Sequence, residues 1–244
     1  VILKLANAQQ TDAGGAVDII VFRDRTNLYF GGRGRVTGNT AGQTGWTGGY
    51  AQINNGNIIS GYTSSGGNVS VLVEDLQLDD HFSNPVNINT GSRIALRNLY
   101  GLNCGEGFQL ISVNGCALDN CFYEDSTDVT VGDGLELSSC TNFFVRGCRV
   151  KHSSTAPSSS ALDLFGSKRG RVDGLLVDGW YDGVSAATPA GATGTITIAS
   201  PGVATLPSAV VAGDPVIWTT TGALPTGITS GTVYYALSSG TSTT

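Results

Sequence analysis

Glu136 and Asp163 are the two residues whose type and spacing best suit chemistry. They stand 27 residues apart, each in the middle of an apolar-polar-apolar segment, Leu135–Leu137 and Leu162–Leu164. If these segments are neighbouring strands, the two carboxyl groups lie about one strand spacing apart, ~4.8 Å, nearer the ~5–5.5 Å of retaining glycosidases than the wider inverting separation. Like charges at that range raise the pKa of one carboxyl group, as an acid catalyst requires.

The alternative interpretation is that Glu136 and Asp163 are solvated outer-face residues, because Asn87 and Gln109 hold the same place in earlier segments. The connection before Glu136 is also acidic, and it adds Asp133 as a third catalytic candidate. Its carboxylates could complete a saccharide cleft or hold a hard cation such as Ca²⁺. The acidic group is Glu124, Asp125, Asp128 and Asp133. Its spacing matches no calcium loop, so we predict a solvated acidic loop, no metal site and no cofactor.

Aromatic and basic side chains are the candidates for substrate binding, because apolar ring faces pack against the C–H faces of sugars. These candidates are Tyr100, Phe122, Arg149, Lys151 and Trp180. Tyr100 and Phe122 occupy equivalent places in adjoining segments, so an exposed stack of the two rings would form a binding strip. Packing of each ring into the core or a corner is the alternative.

A period in the middle of the chain predicts the elements that hold these residues. Similar segments end at positions 76, 99, 121, 148 and 175, so the steps are 23, 22, 27 and 27 residues. Three places before each end the residue is aliphatic. One place before it stands Asp, Asn or Gly, which tolerate left-handed backbone at a corner. Two places before it the charge alternates, so opposite charges would stack between strands. That row is Glu74, Arg97, Asp119, Arg146 and Asp173.

Each repeat also holds a second short strand with period-2 patterning, such as Val86–Ile88 or Phe108–Leu110. One repeat of this length cannot bury its own apolar face, whereas stacked repeats share a core. The sequence therefore predicts an all-β fold, a right-handed parallel β-helix over about residues 15–187, within a domain spanning 1–187. After Ala187 the composition shifts to Thr, Ala, Gly and Pro, which indicates a small β module at 188–244.

Composition excludes several classes of protein. The net charge of −6, without a basic run, argues against a nucleic-acid partner. The lack of a long apolar run predicts no membrane-spanning helix and no membrane partner. Five cysteines without a metal-binding pattern predict buried thiols, with Cys121 and Cys148 in an internal ladder. Because Met is absent and Ser238–Thr244 offers no closing element, we interpret the chain as truncated at both ends.

The repeat region resembles the pectate-lyase-like β-helix superfamily, which includes polygalacturonase-like hydrolases and phage tailspikes. The segment Asn27–Gly38 looks like the opening coil of such proteins. Gly213–Ile228 with Gly231–Tyr235 is similar to a small β module that is frequent in phage tail and virion fibre proteins. Arg149–Lys151 resembles the Arg-x-Lys motif that binds substrate carboxylates in polygalacturonase-like enzymes, although the Gly-His-Gly and Asn-Thr-Asp motifs of that family are absent.

This resemblance implies a virion tail-fibre or tailspike-like protein, a homotrimer facing the exterior, with other virion proteins among its partners. It would attach to host surface carbohydrate by weak contacts that are multiplied over several copies. One alternative is a depolymerase of bacterial capsule or lipopolysaccharide. A glycosidase that uses Glu136 and Asp163 is favoured over a lyase. Another alternative is a purely structural fibre or decoration protein. Fold alone does not choose among them.

Overall fold

The computed structural model describes residues 2–4, 18–43, 56–63, 67–125, 132–152, 160–180, 182–185, 195–197, 203–210, 215–218, 222–235, 237 and 240–243. The chain divides into two compact units, Val1–Ala187 and Thr188–Thr244. The strand pairs of the first unit are parallel and those of the second are antiparallel. The predicted all-β class with parallel sheets is confirmed.

The strands of the first unit are short and follow one another closely. They are β1 (Ile2–Lys4), β2 (Ile20–Arg23), β3 (Thr26–Phe30), β4 (Gly34–Thr37), β5 (Ile59–Tyr62), β6 (Asn68–Glu74), β7 (Leu76–His81), β8 (Val86–Arg97), β9 (Tyr100–Cys104), β10 (Phe108–Asp119), β11 (Phe122–Asp125), β12 (Leu135–Ser138), β13 (Thr141–Arg146), β14 (Arg149–His152), β15 (Ser160–Asp163), β16 (Arg171–Asp173), β17 (Leu176–Asp178) and β18 (Asp182–Ser185). A 3-10 turn, Thr40–Gly42, follows β4.

These strands pair in three stacks, and each repeat visits the stacks in the same order. The first stack is β2, β5, β8, β10, β12, β15 and β18. The second is β3, β6, β8, β10, β13 and β16, because the long strands β8 and β10 pass from the first stack into the second. The third is β1, β4, β7, β9, β11, β14 and β17. The predicted steps between repeats are confirmed, since Tyr100 pairs with Phe122 and Phe122 with Arg149.

Apolar side chains at alternate positions build one interior. In the second stack Val73 pairs with Leu96, Leu96 with Leu118, and Leu118 with Val145, as the aliphatic row predicts. All four side chains are fully buried. Val172 continues the row but is 38% exposed, because it lies on β16, which pairs with β13 at the end of the stack.

The residues predicted to turn the chain adopt left-handed backbone. They are Asp75, Asn98, Asn120, Gly147 and Gly174, with φ between +49° and +67°. Their side chains also bond along the row. Asn98 donates to Asp75 at 3.0 Å, and Asn120 donates to Asn98 at 3.4 Å. Bending at the same place in every repeat keeps successive strands in register.

Opposite charges stack on the outer face of the second stack. Arg97 pairs in register with Glu74 and with Asp119, and Asp119 pairs with Arg146. Arg97 lies 3.6 Å from Glu74 and 3.9 Å from Asp119, while Arg146 lies 3.0 Å from Asp119. The predicted charge ladder is therefore confirmed, and Asp119 is its best-buried member.

The interior also contains five cysteines, all of them buried and free. Burial raises the pKa of the Cys121 thiol, and its hydrogen bond with Cys148 raises it further. The predicted ladder of reduced thiols is confirmed for this pair.

The second unit has two small antiparallel sheets. One contains β19 (Thr195–Ile196), β20 (Ala204–Val210) and β23 (Gly240–Thr243), and the other contains β21 (Pro215–Ile217) and β22 (Val233–Tyr235). The sequence predicted no strand in Ser238–Thr244, whereas the structure has one at Gly240–Thr243. Gly240–Thr243 forms β23 because its backbone pairs with β20, a partner that its small polar residues did not reveal.

We predict that Asp119→Asn lowers the free energy of unfolding by about 1 kcal/mol, because Arg97 and Arg146 both lose a charged partner. Chemical denaturation at low and high salt measures this loss, which salt should reduce. Asp173→Asn is the matched control, since Asp173 belongs to the same row but its side chain is 56% exposed. An equal loss in both variants would contradict the ladder account.

Candidate functional site

Glu136 and Asp163 lie directly opposite each other on neighbouring strands. Leu135 and Leu137 are fully buried, so the alternation of β12 directs Glu136 to the outer face. The pairing of β12 with β15 then places Glu136 against Asp163. Their predicted adjacency is confirmed, and both side chains are half-buried.

Asp133 joins these two residues just before β12 begins. Its carboxylate accepts a hydrogen bond from the Ser160 backbone N–H at 2.8 Å, which ties it to the strand that carries Asp163. The three carboxyl groups act on one another electrostatically. Asp133, Glu136 and Asp163 are together called the acidic corner below.

Burial is the largest influence on the pKa values of the acidic corner. It raises the pKa of Glu136, and the charges of Asp133 and Asp163 raise it further, against a hydrogen bond from Gln109 that lowers it. Burial also raises the pKa of Asp133, and the Asp163 charge adds to this rise. Like charges that are partly removed from water hold protons more tightly, which makes this corner a candidate functional site.

Asp163 differs from Glu136 in the number of groups that stabilise its anion. Burial raises the pKa of Asp163, but hydrogen bonds from the Leu164 and Phe165 backbone and from the Ser185 side chain lower it. Glu136 receives one such bond and faces two acidic neighbours. Glu136 therefore has more like charges beside it, and Asp163 has more hydrogen-bond donors to its carboxylate.

Two buried amides precede Glu136 in its row, after Val21 and Ser60. Asn87 pairs with Gln109, Gln109 with Glu136, and Glu136 with Asp163. Asn87 and Gln109 are only 6% and 8% exposed. The sequence identified this row, but the hydrogen bonds from Asn87 to Gln109 and from Gln109 to Glu136 were not foreseen.

Four of the five predicted binding residues meet on the outer face of the third stack. The Tyr100 and Phe122 rings stack with centroids 4.9 Å apart and planes tilted by 32°. The Arg149 guanidinium lies 5.4 Å from the Phe122 ring centroid. Phe122 is thus packed between a ring and a cation. The predicted Tyr100–Phe122 stack is present, with both residues half-buried, and its use as a binding strip stays a prediction.

Lys151 belongs to the same face but is already paired. Its ammonium lies 2.6 Å from Glu124, which also accepts a 3.5 Å hydrogen bond from the Tyr100 hydroxyl. Glu124 lies in strand β11 and links two binding candidates. The prediction of a solvated loop was therefore wrong for Glu124.

Trp180 lies apart from the other binding candidates. Its ring packs against the apolar core and meets the His152 ring edge-on at a centroid distance of 5.1 Å. His152 Nε2 lies 3.5 Å from the carboxylate of Asp125, and both side chains are fully buried. The prediction of a solvated loop was wrong for Asp125, because Asp125 occupies an inward position of β11. Asp128 lies outside the described residues.

A row of polar residues at the corner before the first stack was missed. Asp18, Asn57 and Asp133 each accept a hydrogen bond from the backbone N–H of the next repeat, at 2.7, 3.3 and 2.8 Å. The sequence signal was a polar residue two places before the strand begins, as in Asp18 before Ile20 and Asn57 before Ile59. Asp133 consequently has a structural role besides its charge.

Comparison with known protein-family profiles finds no match for this chain, and comparison with curated proteins finds none either. Among the residues that the structure describes, no helix is long and apolar enough to span a membrane. Within the same residues, no three or more His, Cys, Asp or Glu side chains are arranged to ligate a metal ion.

We predict that Glu136→Gln makes the fold more stable than the parent at pH 7–8. A raised pKa means that the folded chain binds this proton more tightly than the unfolded chain, so ionisation above the folded pKa opposes folding. The advantage of the variant should shrink as the pH falls towards the ordinary glutamate range of about 4.3. Denaturant midpoints measured between pH 4 and pH 8 test this prediction.

Glu124→Gln is the matched control, and its effect should have the opposite sign. It removes the 2.6 Å ion pair with Lys151 and so lowers stability at pH 7. A Glu136→Gln effect that does not change with pH would show that the acidic corner is not strained by its charges.

Proposed function

We propose that the three stacks are the faces of a right-handed parallel β-helix over about residues 15–187. The support is topological, because the chain passes from first to second to third stack and returns to the first in successive repeats. Parallel strands joined by such returns are right-handed in about 98% of cases. Continuous apolar rows between the stacks supply the shared core that this fold needs.

We propose that this protein engages host surface polysaccharide and that the acidic corner makes the contact. The observation that carries the proposal is the set of three carboxyl groups, Asp133, Glu136 and Asp163, brought together on two neighbouring repeats. Carboxylate oxygens accept hydrogen bonds from sugar hydroxyl groups, and partial burial strengthens such bonds. Repeated weak contacts along several copies would give firm attachment.

The virion setting rests on the resemblance of Gly213–Ile228 and Gly231–Tyr235 to a module of phage fibre proteins. On the same resemblance we propose a homotrimeric tail-fibre or tailspike assembly, with other virion proteins as partners and an exposed position on the particle. Tyr100 and Arg149 would add hydrogen bonds at the edge of the aromatic strip, while Lys151 remains paired with Glu124.

Hydrolysis of the bound glycan is the second candidate function, favoured by the contrast between Glu136 and Asp163. Glu136 would give its proton to the glycosidic oxygen as that bond breaks, and Asp163 would attack the anomeric carbon. Water activated by the deprotonated Glu136 would then release the sugar from Asp163. The strand spacing of ~4.8 Å is close to the separation used by retaining enzymes.

We predict that the protein is retained by capsular polysaccharide or lipopolysaccharide from a panel of bacterial strains, and that Glu136→Ala with Asp163→Ala weakens retention at least tenfold. The loss is expected because both hydrogen-bonding carboxylates disappear. Surface plasmon resonance on immobilised polysaccharide measures retention. Asp173→Asn, an exposed acidic change in the second stack, should leave retention unchanged.

Chain length separates attachment from hydrolysis in the same samples. If the site is catalytic, size-exclusion chromatography shows shortened polysaccharide, and Glu136→Gln or Asp163→Asn stops the shortening by at least 100-fold while retention persists. Retention without shortening supports attachment alone. Equal retention of the parent and the double alanine variant would overturn the acidic corner as the contact.

A further inference from the structure

Three side-chain amides form a continuous hydrogen-bonded chain that ends on Glu136. Asn89 Nδ2 donates to Asn87 Oδ1 at 3.0 Å. Asn87 Nδ2 then donates to Gln109 Oε1, and Gln109 Nε2 donates to Glu136 Oε2. Asn89, Asn87 and Gln109 are called the amide ladder here.

The direction of the amide ladder follows from the chemistry of its last member. An ionised carboxylate only accepts hydrogen bonds, so Gln109 must turn its NH₂ group towards Glu136. Its carbonyl oxygen then faces Asn87, which must in turn present its own NH₂ group. All the amide dipoles are thereby aligned with their positive ends towards Glu136, and aligned hydrogen bonds strengthen one another.

Burial restricts the amide ladder to one arrangement of its hydrogen bonds. Asn87 and Gln109 are almost inaccessible to water, at 6% and 8% exposure, so reversing either amide would leave buried polar atoms without their partners. The charged groups that act on Glu136 are Asp133, just before β12, and Asp163 on β15. From the other side, β10 offers it the uncharged amide of Gln109.

We infer that Gln109, supported by Asn87, is a positioning residue that holds Glu136 Oε2 as a hydrogen-bond acceptor and leaves Oε1 as the oxygen that exchanges a proton. The role of Oε1 in glycan contact rests on the proposed function, since Oε1 would be the atom that faces the glycan. The positioning of Glu136 by Gln109 does not depend on that function. The ladder acts on the ionisation of Glu136 whether or not a sugar ever binds.

The test is the titration of the Glu136 side-chain carbon by NMR in ¹³C-labelled protein, with Glu136→Gln to assign the resonance. Gln109→Leu removes the donor, so the titration midpoint should rise by about one pH unit or more. Asn87→Leu leaves Gln109 in place but frees its carbonyl oxygen, so the midpoint should rise by a smaller amount. Asn87→Leu still tests the inference if Gln109→Leu fails to fold.

Asn98→Ala is the matched control, because Asn98 belongs to a separate amide row at the exposed corner that bonds to Asp75. It should leave the Glu136 midpoint unchanged. An unchanged midpoint in a folded Gln109→Leu or Asn87→Leu variant would overturn the inference. Because no glycan is present, this failure is distinct from the failure of the polysaccharide proposal, which the retention experiment detects by itself.

Discussion

Stacking in register places each side chain against the side chain at the same position of the next strand, ~4.8 Å away. Every row along the stacks must therefore consist of residues that tolerate one another at that distance. Aliphatic rows meet this condition by packing, as Leu96 and Leu118 do. The outer charged row meets it by alternation, with Asp119 between Arg97 and Arg146. The acidic corner departs from this rule, because Glu136 meets Asp163 without an intervening cation in their row.

The same constraint explains why the aromatic strip is less open than its composition suggests. Side chains stacked at the strand spacing cover the faces of one another, so Phe122 is packed between Tyr100 and Arg149. A column of rings then stabilises the fold by its own contacts. At the acidic corner, in contrast, stacking leaves repulsion that burial increases and that hydrogen bonds from Gln109 and the neighbours of Asp163 offset. Carboxyl groups with perturbed pKa values cluster at functional sites.

Row-by-row comparison of the sequence predicted much of this fold because stacking imposes a repeating demand on residue type. The sequence pattern alone assigned Asn98 and Asn120 to a corner and paired Glu136 with Asp163. Side-chain direction at the ends of strands could not be predicted in the same way. Asp125 faces the interior because it lies on β11, and Trp180 fills the space against His152. The amide ladder could not be predicted either, because residue type alone does not distinguish a solvated amide from a buried donor.

A crystal structure of Glu136→Gln soaked with oligosaccharides, cut from a bacterial polysaccharide that retains the protein, tests the central claim most directly. The account predicts a sugar within hydrogen-bond distance of Asp163 and of the side chain at position 136. It also predicts that the Gln109 amide still bonds to that side chain. Sugar bound only along Tyr100 and Phe122, with none at the acidic corner, would contradict the account.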